Sequence, residues 1–318
     1  MRLLRVVFSR VLLSFFTLIV VSVLIFSFVE VLPGDVAKRV LGRDATEQSL
    51  ASLRERMGLN EPVPARYVRW LSGVLRGDLG RSHVSSRPVT EILAPKVFNT
   101  LMLSIFALLL YIPMALIPAI IQAVHLDRPI DHFLSVVTLV LLAIPDFLLA
   151  TILLLTFVLA IPLFPATSNV GETTEFWSYL RALVLPGITL TIVMAIYAVR
   201  MLRDNLVEVL DSAYVRMAEL KGLPLRLVII RHALPNALGP TLNVTALNLG
   251  YLIGGVMIVE KVFAFPGYGT LLVDSIRFLD IAVIEASVLL ASVIYIVGNL
   301  LADIVTIALN PKLKIDAS

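Results

Sequence analysis

The chain has 318 residues, of which 58% are hydrophobic and 15% charged, with a formal net charge of +3 and a mean hydropathy of +0.94. A soluble domain carries roughly 25% charged residues, and the apolar residues here come in blocks as long as the ~20 that a bilayer-crossing helix needs, which excludes a water-soluble globule. Cysteine is absent, which removes disulfides, cysteine-ligated zinc and thiol nucleophiles, and no basic patch interleaved with aromatics supports nucleic-acid binding.

In chain order, Arg2, Arg5 and Arg10 precede an apolar run over residues 11–29. The run exceeds the ~7–15 residues of a secretory signal core, and no small-x-small cleavage site follows, so residues 8–30 read as an uncleaved first span. Residues 32–96 form a soluble insertion. A helix is expected over 46–57, with Thr46 as its N-cap and Gly58 just past its end. Pro62 and Pro64 mark a turn, and a second amphipathic helix places Tyr67, Val68, Trp70, Leu71, Val74 and Leu75 on its apolar side. Five more spans follow over 97–121, 132–160, 181–202, 237–259 and 282–308. Pro113, Pro118 and Pro145 fall inside them, as membrane helices tolerate, and predict kinks.

Orientation follows from the positive-inside rule. With the N-terminus inside, Arg2, Arg5, Arg10, Arg128, the cluster from Arg200 to Arg231, and Lys312 with Lys314 are cytoplasmic; the short external loops hold only Arg181, Lys261 and Arg277. Both termini are then cytoplasmic. The basic residues of 32–96 lie outside, where a long soluble segment weakens the rule.

The loop between spans four and five is the most informative stretch. Leu206, Leu210, Tyr214, Met217 and Leu220 recur at helical spacing, with Asp204, Glu208, Asp211 and Glu219 on another face, so one helix is expected over 206–221. Gly222 and Pro224 then stop it, and a second short helix from Leu225 feeds span five through His232 and Pro235. Connections of about 2–8 residues suffice in helix bundles. The excess length implies an external partner or a helix lying in the lipid interface.

Ala218 and Gly222, followed by His232-Ala-Leu-Pro235-Asn-Ala237, resemble the EAA motif of ABC-importer permeases in its peptide-permease form. The family's Glu-Ala-Ala falls on Arg216, Met217 and Ala218, so its first two positions depart. Leu32-Pro-Gly-Asp35 with residues 57–82 is similar to the external segment of the B-type subunit of dipeptide and oligopeptide importers. Ala143-Ile-Pro145-Asp146-Phe147 resembles the third-span motif, with Asp146 where a small residue is usual. Residues 259–274 resemble the segment after span five, and Asn299 to Asp303 with Asn310-Pro311 the C-terminal end, Asn310 replacing the usual Asp.

This resemblance, which spans nearly the whole chain, implies an all-α polytopic membrane protein with six transmembrane helices and a small helical periplasmic insertion between the first two. The implied organisation is 1–31 for the cytoplasmic N-terminus and first helix and 32–96 for the insertion. Residues 97–309 form the permease core, with a cytoplasmic coupling loop over 203–236, and 310–318 form a cytoplasmic tail. The chain would be a permease subunit in the bacterial inner membrane, without an active site or cofactor of its own. It would work with a second permease subunit, two ATP-binding subunits that carry ATP and Mg, and an extracytoplasmic solute-binding protein, to import peptides or related small solutes. Asp211, Ala218, Glu219, Lys221, Gly222 and Leu223 would lie at the ATPase contact.

Other candidates are read from placement. Asp146, Glu285 and Asp303 are ionisable residues within spans, where a charge is costly and marks function by default. Asp146, beside Pro145 near mid-span, is the candidate for lining the pathway. Glu285, near the outer end of its span, is expected to be solvated, and Asp303 to pair with a basic residue. Glu260 precedes the aromatic, Gly-rich turn over 262–269 and serves either as a gate or binding-protein surface, or within an interfacial aromatic belt. Gly250 and Gly254 permit close helix packing. His83, His125, His132 and His232 show no metal-ligand spacing, and no GxxxxGK[ST] loop occurs, so neither metal nor ATP is expected on this chain. An ion-coupled secondary transporter, the competing class, would show interrupted helices at matching places in two halves, and no internal repeat is visible.

Overall fold

The computed structural model describes residues 2–31, 46–56, 61–165, 167–168, 170–171 and 174–309. Among these, twelve α-helices follow in order: α1 (Arg2–Val31), α2 (Glu47–Arg56), α3 (Val63–Leu75), α4 (Val89–Val124), α5 (Pro129–Ala143), α6 (Asp146–Leu154), α7 (Phe176–Leu210), α8 (Ala213–Leu220), α9 (Leu225–Val228), α10 (Leu234–Val262), α11 (Tyr268–Phe278) and α12 (Ile281–Leu309). Two π-helical stretches, Leu155–Ala160 and Ile229–Ala233, continue α6 and lead into α10. The motif residues 32–35, Gly58 and Asn310-Pro311, and the surroundings of Gly250, Gly254 and Asp303, lie outside what the structure describes.

Among the described residues, α1, α4, α7 and α12 hold stretches long and apolar enough to cross a bilayer, and α5 with α6 pass the same test as a pair. The third span, expected as one kinked helix, is instead broken and bent by 107°. The cause is local. Pro145 has no N–H to donate and drives Ile144 out of helical conformation, to φ −85° and ψ 122°. Thr46 caps α2 as expected, its Oγ1 accepting the Ser49 N–H at 3.2 Å.

The chain divides into two compact units. The first comprises Met1–Val97 with Leu271–Ile296. Here α3 packs on α1 through Tyr67 and Trp70, whose ring centroids lie 5.4 and 5.8 Å from that of Phe26, and the Tyr67 hydroxyl shares a 2.8 Å hydrogen bond with Ser22. Such aromatic pairs add about 0.5–1.5 kcal/mol beyond the area they bury. Val68 and Leu75, read as part of the same apolar side, are exposed; the packed stripe follows the rings. Glu285, expected in solvent, is buried at 6% exposure and feels the Arg66 charge. The segment carrying Gly80 rests on Ala282, one turn away, and covers that end of α12.

Asp280 fastens this segment. Its carboxylate accepts the Ser82 hydroxyl and, at 3.0 Å, the His83 backbone N–H. Burial holds the His83 imidazole below its usual 6.5 despite the opposing Asp280 charge. Below that pH the unfolded segment takes up a proton that the folded one resists, so stability is lost as pH falls through this window. Amide-exchange protection over residues 80–88 is therefore expected to fall as the pH drops below 6.5, and His83→Gln to remove that dependence.

The second unit comprises Phe98–Thr270 with Val297–Ser318, and α7 is its axis. Of its most apolar stretch 72% is buried, against 22% for α4, so α7 is the helix the others wrap. The Phe106 ring of α4 occupies the space a Cβ at Gly187 would need, and Thr191 Oγ1 donates to the Ala107 carbonyl at 3.0 Å. Large apolar side chains of α4 and α5, among them Leu109, Ile117, Phe133 and Leu139, point outward, as lipid-facing residues do.

Hydrogen bonds and packing set the helix directions in this unit. The starts of α4 and α7 meet the end of α10 through Tyr179, Asn99 and Pro266. At the other end, Ala119 and Ala123 of α4 pack with Val199, Leu202 and Leu206 of α7 and with Ala237 of α10. Thus α4 and α7 run parallel, α10 runs against them, and the short helices α8 and α9 project from the latter end.

Candidate functional site

The projection at that end is an elbow built by local chemistry. The expected single helix over 206–221 is two. Ser212, extended at φ −70° and ψ 149°, interrupts it, and its hydroxyl bonds the Val209 carbonyl at 2.5 Å. α8 thus leaves the line of α7. It returns at Gly222, which takes φ +79°, a conformation glycine adopts without steric cost. The Gly222 N–H donates to the Glu219 carbonyl at 2.8 Å and the Leu223 N–H to the Ala218 carbonyl at 3.4 Å, a Schellman closure. Val215, Ala218 and Val228 are buried inside the elbow against Leu210 and Leu223.

This packing inverts the face read from periodicity. Leu206 is buried in the bundle, but Tyr214, Met217 and Leu220 point outward at 47%, 53% and 83% exposure, joined by Leu225 at 48%. A row of large apolar side chains on a projecting helix is a docking surface for protein or lipid. Of the six residues assigned to this contact, Asp211, Glu219, Lys221 and Gly222 are exposed, with Asp211 ion-paired to Arg216. Ala218 is buried and Leu223 half-buried, and both hold the two helices together.

Glu260 sits at the opposite end of α10 and is fully buried. Its carboxylate accepts the Thr100 hydroxyl and, at 3.0 Å, the Thr270 N–H, while Thr100 Oγ1 accepts the Tyr268 N–H at 2.7 Å. The side chain fills the space where Gly267 has no Cβ, and a Cβ at Gly269 would likewise overlap Met257. Burial, with the Glu260 charge adding to it, pushes the Tyr268 phenol above its usual range. Glu260 therefore organises the turn from inside. Pro145 and Asp146 lie elsewhere, at the α5–α6 break. Pro145 is exposed and Asp146 half-buried in the first turn of α6, where a negative charge favours the helix dipole.

Sequence reasoning missed one further constellation. Asp131, 1% exposed, accepts Arg203 Nε at 3.1 Å and Nη2 at 2.8 Å. Arg203 had entered only as a topology-setting charge, and no local pattern links positions so far apart in the chain.

An α-helical bundle with four to five membrane-crossing stretches and a projecting apolar elbow defines a polytopic membrane protein with a docking appendage. Residues 111–315 match the family described as binding-protein-dependent transport system inner membrane component, and residues 3–104 match the N-terminal membrane component of such systems. The chain belongs to this family. It is 36% identical over 298 residues, 94% of its length and 95% of the relative's, to the glutathione transport system permease protein GsiC of Salmonella paratyphi A. The GsiC proteins of Pectobacterium atrosepticum and Escherichia coli K12 are 37% and 35% identical to it over the same shares. It is accordingly a permease subunit of an ABC importer, a transport component rather than an enzyme.

Proposed function

We propose that this subunit and a second permease form the pathway for a short peptide or peptide-like solute of the glutathione class. An extracytoplasmic binding protein delivers the solute, and one of two ATPase subunits grips the elbow. The observation that carries the reading is the outward apolar row of Tyr214, Met217, Leu220 and Leu225 on a helix pair that its own core makes rigid. Basic residues around that row, from Arg200 to Arg231, favour a cytoplasmic position. Six spans then follow from α1, α4, the broken α5–α6, α7, α10 and α12, since α10 has 29 residues and reaches about 44 Å. Both termini lie in the cytoplasm and residues 32–96 outside, where the Glu260 turn faces the delivering protein. Asp146, at the break, lines the pathway.

In this reading ATP binding draws the two motor subunits together, the elbow moves with them, and the spans rock between inward and outward openings. Vesicles carrying the whole transporter are expected to take up glutathione or short peptides only with ATP and the ATPase subunits. Uptake driven by an ion gradient alone contradicts it. The elbow's shape is tested separately at Gly222. A Cβ there meets nothing within 4 Å, so only the backbone conformation opposes a side chain, by about 1–2 kcal/mol. Gly222→Asn, which tolerates that conformation, is expected to keep the elbow's shape and to retain more uptake than a β-branched residue there. Gly222→Val is expected to lose most of it at normal membrane abundance, and equal uptake by the two variants contradicts the elbow's role.

A further inference from the structure

The ion pair between Asp131 and Arg203 sits where motion of the elbow enters the bundle. Arg203 lies two turns before the end of α7, from which the elbow hangs, and Asp131 lies in the first turn of α5. The guanidinium engages both carboxylate oxygens in a fork, the geometry that fixes orientation as well as distance. The same carboxylate accepts the Asp127 N–H at 3.1 Å and the Ser135 hydroxyl at 3.4 Å. Ser135 has one hydroxyl proton and shares it between that carboxylate and Oε1 of Gln122 in α4, at 3.1 Å; Gln122 is itself buried. One carboxylate therefore gathers the end of α7, the start of α5, the turn between α4 and α5, and, through Ser135, α4.

A structural role alone requires no charge here, since well-packed apolar residues often replace a buried pair without loss of stability. A forked pair instead resists sliding and rotation of one helix against the other. We propose that Asp131 and Arg203 are positioning residues that clamp α5 to α7, so that movement of the elbow carries the α4–α5 hairpin with it instead of flexing α7 alone. The proposal rests on the elbow being the motor contact.

The test uses the complete transporter with its companion subunits made free of cysteine, because this chain has none. Spin labels at Leu139 on α5 and Tyr197 on α7, both exposed, report the spacing of these helices; a third label at Arg226 on α9, exposed and outside the docking row, reports the elbow. Each is read without nucleotide and with ATP trapped by vanadate. In the otherwise native chain the Arg226 signal is expected to respond to ATP while the α5–α7 spacing holds. In Arg203→Gln the elbow still responds, but the spacing shifts by about 2 Å, the scale of helix displacement in switching bundles. The exchange Asp131→Arg with Arg203→Asp restores a constant spacing. Arg203→Lys keeps the charge without the fork, serves if Arg203→Gln fails to assemble, and is expected to give a smaller shift. An elbow that responds while the spacing behaves alike in native and variant chains overturns the clamp and leaves the motor contact standing. An Arg226 label that ignores ATP in the otherwise native chain overturns both.

Discussion

Replacing Leu220 by Asp is expected to abolish ATP-driven uptake while the chain remains inserted at normal abundance. Leu220 is 83% exposed and contributes nothing to the elbow's interior, which Val215, Ala218 and Val228 fill. Surface substitutions of this kind change stability by only about 0.5 kcal/mol. Within a docked interface the same change places a charge among apolar groups, and centrally buried anchors cost about 2 kcal/mol or more when removed, or roughly thirtyfold in affinity. Val215→Asp is the contrasting variant: Val215 is fully buried, so the elbow itself fails and abundance falls. Transport and ATPase co-purification both at native levels in Leu220→Asp would remove the elbow from the mechanism.

The second large effect is expected at the far end of α10. A methyl group at Gly267 would overlap the Glu260 carboxylate, and that side chain is held by Thr100 and Thr270 with no exposed direction into which to move. Overpacking costs about 1–3 kcal/mol, and displacing the carboxylate leaves buried donors unpaired at a further ~1–3 kcal/mol. Gly267→Ala is therefore expected to lower thermal stability of the purified complex by roughly 3 kcal/mol. Glu260→Ala should destabilise comparably. The double variant should be less damaged than the sum, because the methyl group then enters the space the carboxylate left. Strict additivity, measured by thermal unfolding in one detergent, contradicts the packing described here.

The contrast between these two places shows which features a sequence exposes. The spans in α1, α4, α7 and α12 declare themselves by hydropathy, and the elbow's stop by Gly222 and Pro224, because backbone requirements act locally. The break at Ser212 left no trace, since Leu206, Leu210, Tyr214, Met217 and Leu220 stay in helical phase across it. Only three-dimensional packing shows that the first turns inward and the last three outward. Small residues hid the true inner face, where Val215 and Ala218 allow α8 to lie close on α9. Pro145 announced a bend but not its size, since a proline permits both a kink and a break and the packing around it decides. Glu260 was visible as an odd charge beside an aromatic turn. Its burial was not, because that depends on Thr100, 160 positions away. The pairing of Asp131 with Arg203 failed to show for the same reason.

The most direct measurement is site-specific cross-linking from the elbow. Single cysteines at Met217, at Leu220 and, as a control at the other end of α7, at Phe176 can be placed in a chain that has no cysteine of its own. In membranes containing the assembled transporter, Met217 and Leu220 are expected to give an adduct with an ATP-hydrolysing subunit, and Phe176 none. If both elbow positions react only with lipid-borne reagent and never with such a subunit, the elbow is a membrane-surface helix and the motor grips the bundle elsewhere.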